Sequence, residues 1–349
     1  MSTTGDDRLH STEGSPWMRP FVPRRFLSNG HLQTIVGSFL PRTYSLPEPE
    51  TEFIEVEAAT SAYPASFVLC HCHWQPVDVR CDRLTMVIVH GLEGSSSSPY
   101  VLGNAARAWK AGCNVVRMNM RSCGAGRDFS PTIYHAGRSG DVAIVMAEMV
   151  RTHFIRSFAL VGYSMGGNLV LKLAGELGAI APTYLKAVVG VSPIMDLVAS
   201  SAALHEPQNL LYQRRFLGDL IEHIRHQAEL YPGLYSVEGL NRIHTLRQFD
   251  EQIVARYGGF ASADDYHSSV ASSNWVQDIA VSTLILHALD DPFIRMTPET
   301  RAKILANPRV RLVETPHGGH CAFLSPDHGD EGFWAEKTLL DFLLKTVEG

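Results

Sequence analysis

The sequence predicts an α/β fold, a mostly parallel sheet covered by helices on both faces and interrupted by a helical cap insertion. Two observations predict it. Continuous β-branched runs such as TMVIVHG (85–91), LKAVVGVS (185–192) and STLILHA (282–288) alternate with segments of helical spacing, and strands without polar alternation belong to sheets buried on both faces. Between the second and third of these runs the alternation stops. Residues 193–274 are rich in helix formers and aromatic residues, among them Tyr212, Phe216, Tyr235, Phe249, Tyr257 and Phe260. An insertion of that kind does not extend the sheet and sits above the carboxyl ends of its strands, where open α/β sheets bind ligands.

Taken in order, the polar, acidic residues 1–16 read as a disordered tail, and the start of the chain has no apolar stretch of the signal-peptide type. Residues 17–50 carry five prolines and read as an irregular but ordered lead. EFIEVEA (52–58) and SFVLCHCHW (66–74) suit an antiparallel entry into the sheet. A helix over 100–110 and a strand NVVRMNM (114–120) follow, then a helix from Asp141 with Val142, Val145, Met146, Met149 and Val150 on one face. SFALVGY (157–163) is a strand and Ser164 opens the next helix; RVRLVE (309–314) and a helix over 333–347 close the chain. The expected organisation is a core of 17–192 and 275–349 with a cap of 193–274.

Composition narrows the function classes. With 45% apolar residues over 349 positions the core is large enough to need no disulfide. Six cysteines without a secretory signal point to free thiols in a reducing compartment, so a cytoplasmic protein is expected. A net charge of −6 and the lack of any basic run argue against nucleic acid. No run of 18 apolar residues occurs, so no integral membrane association is expected. What remains is a protein acting on a small molecule.

The chemistry centres on FALVGYSMGGNLVLKLAG (158–175). GYSMG is G-x-S-x-G at a strand-to-helix turn, the context in which the motif carries a nucleophile. The turn is so sharp that the residues two before and two after Ser164 must be tiny, hence Gly162 and Gly166. A serine hydroxyl needs a base, itself oriented by an acid. In this arrangement the acid and then the histidine follow the serine in the chain. ETPHGGHCAF (314–323) offers His317 and His320, and the glycines before His320 favour it as the base. LDDPF (289–293) offers Asp290 and Asp291 after a strand; the turn at Pro292 favours Asp291, leaving Asp290 to cap the turn. Asp196 reads as a helix N-cap rather than the acid.

The loop HGLEGSSSSPY (90–100) after the first parallel strand supplies the oxyanion hole, from the N–H groups of Leu92 and Met165. Glu93 must then point away, toward Arg121 or another cation. LCHCHW (69–74) lacks the spacing of a structural zinc site, and alternate strand residues diverge, so it reads as buried cysteines between exposed histidines. Asp141 reads as a helix cap, His135 as a support of the catalytic loops, and His31 as a buried link from the lead to the sheet. No metal and no cofactor is required.

Four stretches, FLSNGHLQTI (26–35), HGLEGSSSSPY (90–100), YHAGRSGDV (134–142) and GYSMGGN (162–168), give the chain a resemblance to the YheT-like group of α/β-hydrolases. The resemblance runs from about residue 18 to the C-terminus. It implies the α/β-hydrolase fold, a triad of Ser164, Asp291 and His320, and hydrolysis of short- to medium-chain carboxylic esters or lipid esters. Relatives in this group that pass the acyl group to an alcohol make an O-acyltransferase the alternative. The alternative of another class is a non-catalytic ligand-binding protein on the same fold, which would have no need of a complete triad. Unlike the eukaryotic members, the sequence shows no N-terminal membrane anchor.

Overall fold

The computed structural model describes residues 18–328 and 331–348; the tail expected over 1–16 lies outside them. Eight strands form one sheet in the order β1-β2-β4-β3-β5-β6-β7-β8. They are β1 (Glu50–Glu57), β2 (Ser66–His73), β3 (Thr85–Val89), β4 (Asn114–Met118), β5 (Phe158–Tyr163), β6 (Leu185–Val191), β7 (Ser282–Ala288) and β8 (Val310–Thr315). β1 pairs antiparallel with β2, and β2 antiparallel with β4. From β4 across to β8 every pairing is parallel. The β-branched runs are therefore central strands, and every residue of β3, β4 and β5 is buried.

Helices cover both faces, as two separate apolar clusters record. One collects Val87, Val89, Val116 and Leu160 of the sheet with Val142, Val145 and Met149 of helix Ser139–His153 and with Val170 and Leu173 of helix Met165–Leu177. The other collects Met86, Ile88, Val161 and Val189 with helices Pro99–Lys110 and Trp334–Glu348, through Val101, Ala105, Leu339 and Leu343. Because β3 and β5 to β8 run parallel, the loops after them leave the sheet at one end. Those loops carry Gly91, Ser164, Ser192, Asp291 and His320.

Between β6 and β7 the chain forms helices Leu197–Leu204, Leu210–Leu230 and Ala263–Ser269, with a π-helical stretch Asp250–Ala255 between the last two. Among the described residues no helix is long and apolar enough to cross a membrane. The six cysteines are unpaired.

Two expectations need correction here. The lead is not wholly irregular: Gly30–Phe39 is a helix whose cap, Asn29, accepts from the N–H groups of His31 and Leu32. The histidines of β2 are not both exposed. Cys70 and Cys72 are buried as expected, but so is His73, whose Nε2 accepts from Arg117 at 3.2 Å on the opposite face. Burial beside that guanidinium lowers its pKa to about 4, so its ring is neutral. Among the described residues no cluster of three or more His, Cys, Asp or Glu could hold a metal ion.

Candidate active site

Ser164 sits between β5 and helix Met165–Leu177 with φ 54° and ψ −115°, a conformation that costs a non-glycine residue about 1–3 kcal/mol. The surroundings over-determine it. Its N–H donates to Val191 O at 2.9 Å, and its own carbonyl accepts from Asn168 N at 3.1 Å and Ile194 N at 3.2 Å. The flanking glycines are required by contact: a Cβ on Gly162 would lie 2.1 Å from Gly166 O, and one on Gly166 would lie 2.3 Å from Val89 O. Met165 is the first residue of the helix, where a backbone N–H has no partner within the helix.

Asp291 and His320 are brought together. Asp291 Oδ1 accepts from Phe293 N at 3.1 Å and Ile294 N at 2.9 Å, while Oδ2 accepts from His320 Nδ1 at 2.8 Å. The carboxylate side chain is fully buried. Burial alone would raise its pKa, but the charge and hydrogen bond of His320, His287 and the Ile294 N–H outweigh it and hold the group below the usual aspartate range. For His320 burial disfavours the charged ring, and the adjacent Cys321 sulfur and Asp291 carboxylate more than offset it, leaving its pKa above the ordinary histidine value. Phe293 packs on the ring with centroids 4.4 Å apart, and Cys321 Sγ lies 3.5 Å from Nε2.

The structure divides the two aspartates differently from the sequence reading. Asp291, not Asp290, caps its own turn, through the Phe293 and Ile294 N–H groups. Asp290 reaches across to accept from Gly319 N at 2.9 Å and stands 3.5 Å from His317, which is a part-exposed loop residue. It anchors the loop of His320 rather than the turn.

The N-terminal helix is the second anchor, and sequence reasoning missed it. Thr34 Oγ1 accepts from His320 N at 2.8 Å and itself donates to Gly30 O at 2.7 Å. The Gln33 amide donates to Leu27 O and Leu324 O and accepts from Leu324 N. A Cβ on Gly30 would lie 1.9 Å from Asp290 O, and one on Gly319, at φ 59°, would lie 2.4 Å from Gly30 O. The NGHLQT stretch is thus a clamp on the two loops that carry Asp291 and His320. His31 itself is not a buried link to the sheet: it is half-buried, stacks on Tyr212 and lies 3.3 Å from the Tyr212 hydroxyl, on the long helix of the insertion.

The loop after β3 passes close over Ser164. A Cβ on Gly91 would lie 3.1 Å from the Ser164 Cβ, tighter than most side-chain contacts, so glycine suits this close approach of the loop. Gly91 N donates to the Tyr100 hydroxyl at 2.9 Å. His90 Nε2 accepts from Met120 N at 3.0 Å, which leaves Nδ1 to donate to Gly91 O at 2.8 Å. Burial lowers the pKa of His90 to about 4 and keeps that ring neutral. Glu93, at φ 51°, turns away as expected but not to Arg121. It accepts from the Tyr134 hydroxyl and stands 3.4 Å from His223 of the insertion. Arg121 is held instead by both oxygens of Asp141 at 2.7 Å, by Glu57 and by Thr132 Oγ1 at 2.7 Å.

Asp141 is therefore a buried ion-pair partner rather than a helix cap; Arg138 occupies the cap position. Asp196 does stand at a helix N-cap, but its side chain makes no cap bond there. It accepts from Thr297 N at 2.8 Å and Thr300 Oγ1 at 2.7 Å, tying the insertion to the sheet side. His135 is buried, with Phe260 and Tyr266 edge-on to its ring. Ser164 and His320 face one cleft of about 300 Å³, together with Gly91, Leu92, Tyr212, Phe216 and Phe293.

A family model described as alpha/beta hydrolase fold matches residues 85–327. The chain is 32% identical over 337 residues to YheT of Escherichia coli (strain K12), covering 94% of each. It is 27% identical over 267 residues to the Bos taurus protein named phospholipase ABHD3, covering 75% of this chain and 62% of that one. Among solved structures, an esterase of Pyrococcus furiosus superposes with a TM-score of 0.54 at 15% identity, over 88% of this chain and 97% of that one.

Proposed function

The chain belongs to the YheT-like group of the α/β-hydrolase family, an enzyme of the esterase/lipase type, and from that premise we propose that it hydrolyses short- to medium-chain carboxylic or lipid esters through an acyl-enzyme on Ser164. His320 Nε2 takes the hydroxyl proton as Ser164 Oγ bonds to the ester carbonyl carbon. Asp291 holds the ring with Nδ1 protonated and balances the imidazolium that forms. The N–H groups of Leu92 and Met165 receive the oxyanion. The imidazolium then protonates the alcohol oxygen as its bond to carbon breaks. Water repeats the sequence, with His320 as base, and releases the acid.

The observation that carries this reading is the pairing of a fully buried Asp291 with His320 beside a serine held at positive φ on the same cleft. A protein that only binds a ligand gains nothing from that strain. The same reading makes 193–274 a cap over the site, supported by the contacts of Tyr212 with His31 and of His223 with Glu93. It places the enzyme in the cytoplasm, supported by the six unpaired cysteines.

Release of p-nitrophenol from p-nitrophenyl butanoate, by the full chain and by Ser164→Ala, tests the proposal. Turnover abolished by the substitution is expected; equal turnover by both proteins overturns it. Product analysis with added ethanol, ethyl butanoate against butanoic acid, reports whether an alcohol competes with water for the acyl group.

A further inference from the structure

We infer that Glu93 is a positioning residue for the oxyanion hole, tying the turn that carries the Leu92 N–H to His223 on the long helix of the insertion. The hole is then correctly aimed only while the insertion is seated. This deepens the esterase reading and rests on Ser164 as its nucleophile.

Residues 91–94 form a turn closed by Gly94 N, which donates to Gly91 O at 3.1 Å. Gly91 O also accepts from His90 Nδ1 at 2.8 Å. The Gly91 carbonyl and the Leu92 N–H belong to one trans peptide, so they point in opposite directions. Whatever holds this turn therefore aims the Leu92 N–H. Glu93 takes the third position of the turn at φ 51°, a conformation that β-turns assign to glycine or asparagine. For the backbone alone a glutamate is a poor choice there, and its side chain supplies the reason.

The Tyr134 hydroxyl accepts from Glu93 N at 3.1 Å and donates to Glu93 Oε1, fixing backbone and carboxylate together. Oε1 also stands 3.4 Å from Nδ1 of the buried His223. Across the imidazole, Ser122 Oγ donates to Arg121 O at 2.7 Å and so accepts from His223 Nε2 at 2.9 Å. With Nε2 donating there, the ring meets the carboxylate best as an imidazolium. Burial pushes the Glu93 pKa up, but His223, Tyr134 and Arg127 outweigh it and hold the carboxyl below the usual glutamate range. That compensation bears on the chemistry. Glu93 lines the same cleft as Ser164, where a bare carboxylate would oppose the developing oxyanion. Two neighbours on the same helix hold a different loop, the one after β4: His226 Nε2 pairs with Asp128 Oδ1 at 2.7 Å, and the Gln227 amide donates to Arg127 O at 3.0 Å.

The test compares Glu93→Gly, Glu93→Gln, His223→Gln, the double variant Glu93→Gln/His223→Gln and, as control, His226→Gln, each in the full chain. It reads kcat and KM for p-nitrophenyl butanoate, thermal unfolding, and Ki for a trifluoromethyl ketone, whose adduct oxyanion occupies the hole. Glu93→Gly should keep the unfolding temperature, because glycine suits the turn. Its kcat should nonetheless fall by about tenfold or more, within the ~10²–10³ of one lost oxyanion donor. KM should stay within about threefold while the ketone Ki rises in step with the loss of kcat. His223→Gln leaves the carboxylate charge uncompensated, so adding Glu93→Gln to it should restore part of kcat. His226→Gln should stay within about twofold of wild type. Wild-type kcat and Ki in Glu93→Gly, losses that simply multiply in the double variant, or an equal loss in His226→Gln overturns the coupling and leaves the esterase reading intact. If the wild-type chain turns over no ester and Ser164 takes no fluorophosphonate label, the esterase reading itself falls, and the coupling with it. Should His223→Gln fail to fold, Glu93→Gly against His226→Gln decides alone.

Discussion

Replacing Asp291 by Asn should lower kcat by about 10⁴, or ~5.5 kcal/mol in the barrier, the scale seen when a triad aspartate is made an amide. The structure says why the amide cannot substitute. Asp291 Oδ1 accepts two backbone bonds, from Phe293 and Ile294, and those donors require an oxygen. An Asn side chain must therefore put its carbonyl there and its NH₂ where Oδ2 now meets His320 Nδ1. An amide NH₂ donates only, so Nδ1 must become the acceptor and the ring proton moves to Nε2. His320 then offers Ser164 a proton when it should take one. Asp290→Asn is the matched control, since an amide oxygen still accepts from Gly319 N, and it should stay within about tenfold of wild type. Steady-state kinetics on a p-nitrophenyl ester, with thermal unfolding to confirm that both variants fold, reads the outcome. Equal losses in the two variants, or an Asp291→Asn enzyme within tenfold of wild type, would refute the reasoning.

Four further outcomes are expected. In its pH profile, kcat/KM should rise as His320 loses its proton and then level, with the midpoint above the ordinary histidine value because Asp291 and Cys321 favour the charged ring; in Asp291→Asn any residual activity should rise at lower pH. Gly91→Ala should lower kcat, by at most the ~10²–10³ of one lost oxyanion donor, since its methyl would lie 3.1 Å from the Ser164 Cβ and press on the loop that carries the Leu92 N–H. Gly140→Ala, where a methyl meets nothing within 4 Å, should leave kcat unchanged. Arg121→Met should destabilise the fold by about 3–5 kcal/mol in urea unfolding, because it strands the buried Asp141 carboxylate.

What the sequence made legible follows from how local each signal is. The parallel sheet was readable because TMVIV, FALVGY and STLILHA are buried on both faces and so carry no polar alternation. Ser164 was conspicuous because its two glycines answer contacts within four residues and with the neighbouring strand. The partners of Glu93, Arg121 and Asp290 were not readable. Each choice depends on which carboxylate the tertiary fold brings within reach, and Glu57 is 64 residues from Arg121. The helix Gly30–Phe39 escaped notice because the prolines around it dominate the local pattern. The work of NGHLQT, through Thr34 and Gln33, is done on residues nearly 300 positions away. The insertion shows the limit most plainly, since its helices were visible by composition but their contacts with the site, such as Tyr212 on His31 and His223 beside Glu93, depend on their packing.

The central claim is that Ser164 is the activated nucleophile. Intact-mass spectrometry of the full chain after exposure to a fluorophosphonate, followed by peptide mapping, tests it most directly. The account predicts one adduct per chain, on the peptide carrying Ser164, absent in Ser164→Ala and strongly slowed in Asp291→Asn. An unmodified Ser164, or an adduct that persists in Ser164→Ala, would contradict it.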